Sequence, residues 1–153
     1  MDWTQDISGA HQRIAPYIRL TPVLTTQAFG LPFPIDLKFE HTQHTGSFKA
    51  RGAFNTLLSA DVPEAGLVAA SGGNHGAAVA FAAHRLGHTA KVFVPEFAGP
   101  TKIGLIERCG ADLSVVEGEY VNALAEAQDY EARTGAMQVH AYDAIPTVAG
   151  QGT

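Results

Sequence analysis

The sequence is poor in several residue types, and each shortage removes a class of explanation. A single cysteine, Cys109, leaves no internal disulfide framework in 153 residues and fits a reducing compartment. No apolar stretch reaches the roughly 18 residues a membrane helix needs, because Gly, His or Arg interrupts each one. Positive charge is scarce: 10 Lys and Arg stand against 15 Asp and Glu, a formal net charge of −5. With a pI near 5.7 and no basic run, nucleic acid is not an expected partner, and neither is a membrane. The opening residues, MDWTQDISGAHQR, start acidic and carry no apolar segment of the secretory kind. What remains is a chain of one-domain size, 46% hydrophobic, expected to be globular and cytoplasmic.

Punctuation residues make its organisation legible. Ile7, Ala10, Ile14 and Ile18 fall near helical spacing, which predicts a first helix over residues 8–20, broken near Pro16. Thr21-Pro-Val-Leu24 reads as extended, and residues 35–40 alternate as a strand does. Ser47 is a candidate N-cap for a helix over about 48–59. Three apolar runs follow, at 67–70, 90–94 and 112–116. They alternate with helices expected at 77–86, 101–109 and 120–133, stopped by Gly87, Gly110 and Gly135. Residues 137–140 close the series. Strands alternating with such helices predict βαβ units, a parallel sheet and an α/β fold, with ligands beyond the carboxyl ends of the strands.

Two segments carry candidate chemistry. In Ser71-Gly-Gly-Asn-His-Gly76, Gly72 and Gly73 remove side chains so that backbone N–H groups can approach a ligand. The helix start that follows adds positive dipole character, suited to a carboxylate or phosphate, and Asn74 offers both donor and acceptor. A plain strand-to-helix turn with an Asx cap is the alternative reading. In Thr45-Gly-Ser-Phe-Lys-Ala-Arg-Gly52, Lys49 lies in the first turn of a helix. The dipole, nearby Arg51 and burial would all lower its pKa, making a nucleophile able to form a Schiff base with a carbonyl cofactor. A surface lysine is the bland alternative. Other chemistry finds no anchor. The G-x-G-x-x-G spacing is absent, although Glu96 lies 20 residues beyond Gly76, and neither a Walker A nor a G-x-S-x-G pattern occurs. His41 and His44 share a loop, while His84 and His88 straddle Gly87, so neither pair shares one helical face and no metal is expected. Cys109 reads as a packed thiol.

Taken together, His44-Thr-Gly-Ser-Phe-Lys-Ala-Arg-Gly-Ala53 and Ala70-Ser-Gly-Gly-Asn-His-Gly76 resemble the fold-type II pyridoxal-phosphate enzymes. Within that group they are similar to the threonine/serine dehydratases and their serine racemase relatives. Thr21-Pro-Val-Leu24, Phe93-Val-Pro95, Pro100-Thr-Lys102 and Val148-Ala-Gly-Gln-Gly-Thr153 extend the resemblance along the chain. It implies an open twisted parallel sheet in a small domain over residues 50–145. Residues 1–49 would then belong to a large domain, and 146–153 to the return toward it. It also implies that Lys49 carries pyridoxal 5'-phosphate, with Phe48 near the ring and Asn74 on the phenolic oxygen. Ser71, Gly72, Gly73, Asn74 and His75 would cradle the carboxylate of a small amino-acid substrate. Tyr142 stands where some members place a cofactor-rim residue.

The implied reaction converts L-threonine or L-serine to the 2-oxo acid and ammonia. Racemase members place a serine where Gly72 stands, so Gly72 favours elimination. Racemisation, β-replacement and a non-catalytic anion-binding module remain the alternatives. The resemblance further implies a homo-oligomer, dimer or tetramer. Residues 147–153 read as an element still under way, so the chain is expected to be the first part of a longer enzyme and inactive alone.

Overall fold

The computed structural model describes residues 2–153. Helix α1 (Trp3–Ile14) starts earlier than residue 8 because the Asp2 carboxylate caps it, accepting the N–H groups of Thr4 and Gln5. It gives way at Ala15–Tyr17 to a single 3₁₀ turn around Pro16, which cannot continue the helical hydrogen bonds. Strand β1 (Val23–Thr26) pairs antiparallel with β2 (Ile35–Lys38), apart from the main sheet. Helix α2 (Lys49–Leu58) begins one residue later than its sequence signal, with Phe48 in the cap position. The Ser47 hydroxyl still serves the helix start, accepting the Lys49 N–H at 3.4 Å.

The main sheet is parallel throughout. It contains β3 (Leu67–Ala70), β4 (Ala90–Pro95), β5 (Asp112–Val116) and β6 (Met137–Gln138), in the spatial order β5-β4-β3-β6. Helices α3 (Asn74–Leu86), α4 (Pro100–Arg108) and α5 (Tyr120–Thr134) make the crossovers. Successive strands step outward from β3 to β5, and α5 then carries the chain back to β3's other flank. The order of strands therefore reverses between β3 and β6, the place where parallel sheets bind ligands. One boundary differs from the sequence reading: α3 starts at Asn74, not Ala77. Gly72 and Gly73 complete the turn by themselves, so Asn74, His75 and Gly76 form the first helical turn. Gly87 and Gly135 close α3 and α5 with φ of 78° and 75°, left-handed conformations that suit glycine.

Strand β3 is buried on both faces, as a central parallel strand should be. Leu67 and Ala69 pack with Ile14, Phe54, Val79 and Val139, while Val68 and Ala70 pack with Phe93, Ala123 and Ala127. Helix α6 (Ile145–Gln151) lies against α2 almost backbone to backbone. A Cβ at Gly150 would stand 2.6 Å from the Arg51 carbonyl oxygen, and one at Gly52 would stand 2.9 Å from that of Thr147. The α2–α6 contact, which fixes the helix bearing Lys49, thus exists only because both residues are glycine. Gly150→Ala should lower stability by about 1–3 kcal/mol through overpacking. Gly9→Ala in α1, where a Cβ meets nothing within 4 Å, should raise it by about 0.4–1 kcal/mol. Urea unfolding midpoints of the two variants check both signs.

Candidate active site

The carboxyl ends of β3 and β6 lie side by side, and three segments converge above them. Strand β3 delivers Ser71–Gly76, β6 delivers residues 139–142, and the first turn of α2 delivers Lys49. Together they enclose a cavity of about 470 Å³ lined by Lys49, residues 70–75, Lys102, Tyr120, Ala141 and Tyr142. The Lys49 Nζ donates to the Ala141 carbonyl oxygen at 2.8 Å, lies 4.6 Å from the centre of the Tyr142 ring, and 5.3 Å from that of Phe48. Phe48 flanks the lysine from outside the cavity lining and is 42% exposed.

Burial pushes the Lys49 ammonium below its ordinary pKa. The sequence reading also invoked Arg51, and the structure corrects that. The Arg51 guanidinium is buried in a two-pronged pair with Glu40, Nε to Oε2 and Nη2 to Oε1 both at 2.8 Å, and also reaches Thr21 and Thr153. Burial pushes the Glu40 carboxyl up, yet the hydrogen bonds from Arg51 and Thr21 outweigh it and hold its pKa down. Arg51 ties α2 to the exit of β2, and its charge is spent there.

The start of α3 carries no side-chain cap. Ser71 Oγ accepts the Gly73 N–H at 3.2 Å, whereas the N–H groups of Gly72, Asn74, His75 and Gly76 find no acceptor among the described residues. Gly72, Asn74 and His75 line the cavity, so three of these free donors and the positive end of a 13-residue helix sit at its wall, a ready site for an anion. Asn74 is exposed on this turn. His75 is 5% exposed, and its side chain turns inward, with Nε2 2.8 Å from the Val139 carbonyl oxygen. A carbonyl only accepts, so Nε2 bears the proton and Nδ1 is bare. Burial, with smaller contributions from Lys49 and His140, overrides that hydrogen bond and pushes its pKa down to about 4. His75 therefore offers the cavity its backbone N–H, while its neutral ring ties α3 to the segment leaving β6.

Other candidates lie elsewhere. His41, His44, His84 and Cys109 line a separate hollow of about 760 Å³ that shares no residue with the Lys49 cavity. Burial raises the pKa of the half-buried Cys109 thiol. Among the described residues no three His, Cys, Asp or Glu side chains gather as metal ligands would, and no helix is long and apolar enough to cross a membrane. Glu96 accepts the Gly118 N–H at 3.0 Å at the sheet edge and does not line the Lys49 cavity.

The family of pyridoxal-phosphate-dependent enzymes matches residues 14–153. The chain belongs to that family. Phenylserine dehydratase from Ralstonia pickettii is 36% identical over 152 residues, covering 96% of this chain and 46% of that protein. Maize serine racemase superposes with a TM-score of 0.89 at 30% identity, over 95% of this chain and 46% of the other. Serine racemase from Dictyostelium discoideum gives 0.81 at 33% identity, over 95% and 49%. The chain spans about half the length of these relatives. Its residues fit the family's cofactor on physical grounds: an amine of lowered pKa, two aromatic rings beside it, and free N–H donors facing the same space.

Sequence reasoning missed the carbonyls of Val139 and Ala141 and the side chains of Lys102 and Tyr120. A backbone carbonyl carries no residue signature, and only the strand order reveals that β6 ends beside β3. The His75 tie has a measurable consequence. Between its ordinary value of 6.5 and about 4, the unfolded chain takes up a proton at His75 that the folded chain refuses. Stability should therefore fall as pH drops through that window, with a contribution on the order of 3 kcal/mol. His75→Gln, which keeps an N–H donor but does not titrate, should flatten that part of the profile when urea midpoints are compared from pH 7 to 4.

Proposed function

We propose that the complete protein containing this chain is a pyridoxal-phosphate-dependent ammonia-lyase acting on a β-hydroxy amino acid such as L-threonine or L-serine. The observation that carries this reading is the convergence of the Lys49 amine and the uncapped start of α3 on one cavity at the sheet's switch point. In this reading Lys49 attaches the cofactor, Phe48 and Tyr142 flank it, and Asn74 reaches its phenolic oxygen. When bound, the cofactor supplies an electron sink for the charge that develops at the substrate Cα.

The chain's own groups do the rest. The free N–H groups of Gly72, Asn74 and His75 hold the substrate carboxylate, and Ser71, bonded to the Gly73 N–H, keeps the turn in shape. That leaves the Cα proton on the Lys49 side. With its pKa lowered by burial, the released Lys49 amine accepts that proton. Loss of the β-hydroxyl then leaves an unsaturated amine, and water converts it to the 2-oxo acid and ammonia. Position 72 has no side chain to return a proton from the opposite face. A Cβ there would stand 2.7 Å from that of Ala98, so the packing favours glycine. Elimination is therefore favoured over racemisation, although relatives of both kinds exist.

The same reading assigns residues 50–145 to a small α/β domain and residues 1–49 and 146–153 to a larger one. The packing of α1 against α6 supports a grouping of the chain's two ends, with α2 lying between that pair and α3. It also assigns the whole enzyme to a homo-oligomer.

Borohydride reduction of the complete protein with pyridoxal phosphate, followed by peptide mapping, tests the assignment. A pyridoxyl group on Lys49 is expected. Lys49→Ala should lose the label and lower kcat by about 10²–10⁴ or more. A folded protein without that label overturns the reading, and D-serine formed from L-serine as fast as ammonia overturns the preference for elimination.

A further inference from the structure

The Lys49 cavity does not end at Gly72. Past Gly72, Pro95, Lys102 and Tyr120, which line both spaces, it opens into a second hollow of about 520 Å³. The walls of this annex are Phe97, Ala98, Gly99 and Thr101 from the loop and helix start after β4, with Tyr120 from the start of α5. Phe97 is 79% exposed and Tyr120 43% exposed, so two aromatic side chains present open surface around one space. Two charged residues, Lys102 and Glu119, also line it. The Lys102 Nζ turns toward the cradle, 3.6 Å from where a Gly73 Cβ would stand, and Glu119 is exposed at the start of α5.

We propose that this annex is the subsite for the substrate's β-substituent and that it selects an aryl group, so the preferred substrates are 3-aryl-3-hydroxy amino acids. The inference rests on the function proposed above. With the carboxylate on the α3 start and Cα beside Lys49, the annex past Gly72 is a direct continuation of the cavity into which the side chain can extend. A methyl group or a hydrogen leaves the annex filled with water against Phe97, Ala98 and Pro95. An aryl ring displaces that water and meets the aromatic faces of Phe97 and Tyr120. Lys102, near Gly73, adds a cation to the carboxylate end, while Phe97, Ala98, Pro95 and Tyr120 supply most of the annex's apolar wall.

The test compares the complete holoenzyme on threo-3-phenylserine and L-threonine, reading the ratio of their kcat/KM values. Phenylserine should be favoured at least tenfold. In equilibrium dialysis L-phenylalanine, which has no leaving group, should bind more tightly than L-alanine. Thr101→Trp, placed at an exposed wall position to fill the annex, should lower both preferences tenfold or more. Phe97→Ala should lower them roughly 2–12-fold, the value of one aromatic pair. A kcat/KM ratio short of tenfold, or preferences that neither substitution moves, overturns the aryl subsite. If neither substrate turns over and no pyridoxyl group is trapped on Lys49, it is the underlying function that fails, and the two failures are distinct.

Discussion

The parallel pairing of β6 with β3 is the constraint on which the site depends. It is small: Met137 N–H reaches Gly66 O at 3.0 Å, Val139 N–H reaches Val68 O at 2.9 Å, and the strand itself is two residues long. Without it the chain leaving α5 would have no reason to return across the sheet, and the order of strands would not reverse. With it, the carbonyls of Val139 and Ala141 lie beside the end of β3. One receives the His75 ring and the other the Lys49 amine. Two groups that the sequence separates by 26 positions are held against alternate carbonyls of one segment.

Glycine does three different jobs around this site. At Gly72 and Gly73 it lets the turn close without a side chain, so the start of α3 is bare. At Gly52 and Gly150 it lets two helix backbones touch, which sets the position of the first turn of α2. At Gly87 and Gly135 it ends helices in the left-handed conformation. The Arg51–Glu40 pair then fastens α2 to the end of β2. Each charge has its partner, and removing one from such a buried pair typically costs about 3–5 kcal/mol.

Much of this was legible in the sequence, for identifiable reasons. Apolar runs mark the inner strands β3 and β4, which are covered on both faces, while the edge strand β5 is legible only through Leu113, Val115 and Val116 between polar residues. The three glycine-stopped helices ended within one residue of the expected positions, α3 and α5 capped by Gly87 and Gly135 and α4 by Cys109 just before Gly110. The first turn of α3 escaped detection because Asn74-His-Gly76 reads as loop chemistry, yet Gly73 holds the cap position, Asn74 is already helical and His75 is buried. Arg51 was misassigned for a similar reason: proximity to Lys49 along the chain says nothing of direction, and residues two apart on a helix do not face each other. The annex was invisible, since Phe97 and Tyr120 are 23 positions apart and come to line one space only through the pairing of β4 with β5.

The brevity of β6 has a dynamic consequence. An edge strand of two residues opens locally at far lower free energy than β3, which is hydrogen-bonded on both sides. The amide of Val139 should thus exchange with solvent long before those of β3. Three ties resist that opening: the ladder to β3, the His75 ring and the Lys49 amine. Any ligand that takes the Lys49 amine for itself releases the Ala141 carbonyl and removes one of them. Occupancy of the lysine and the breathing of this strand are therefore coupled, and the binding energy of whatever joins Lys49 is partly spent on loosening the edge of the sheet.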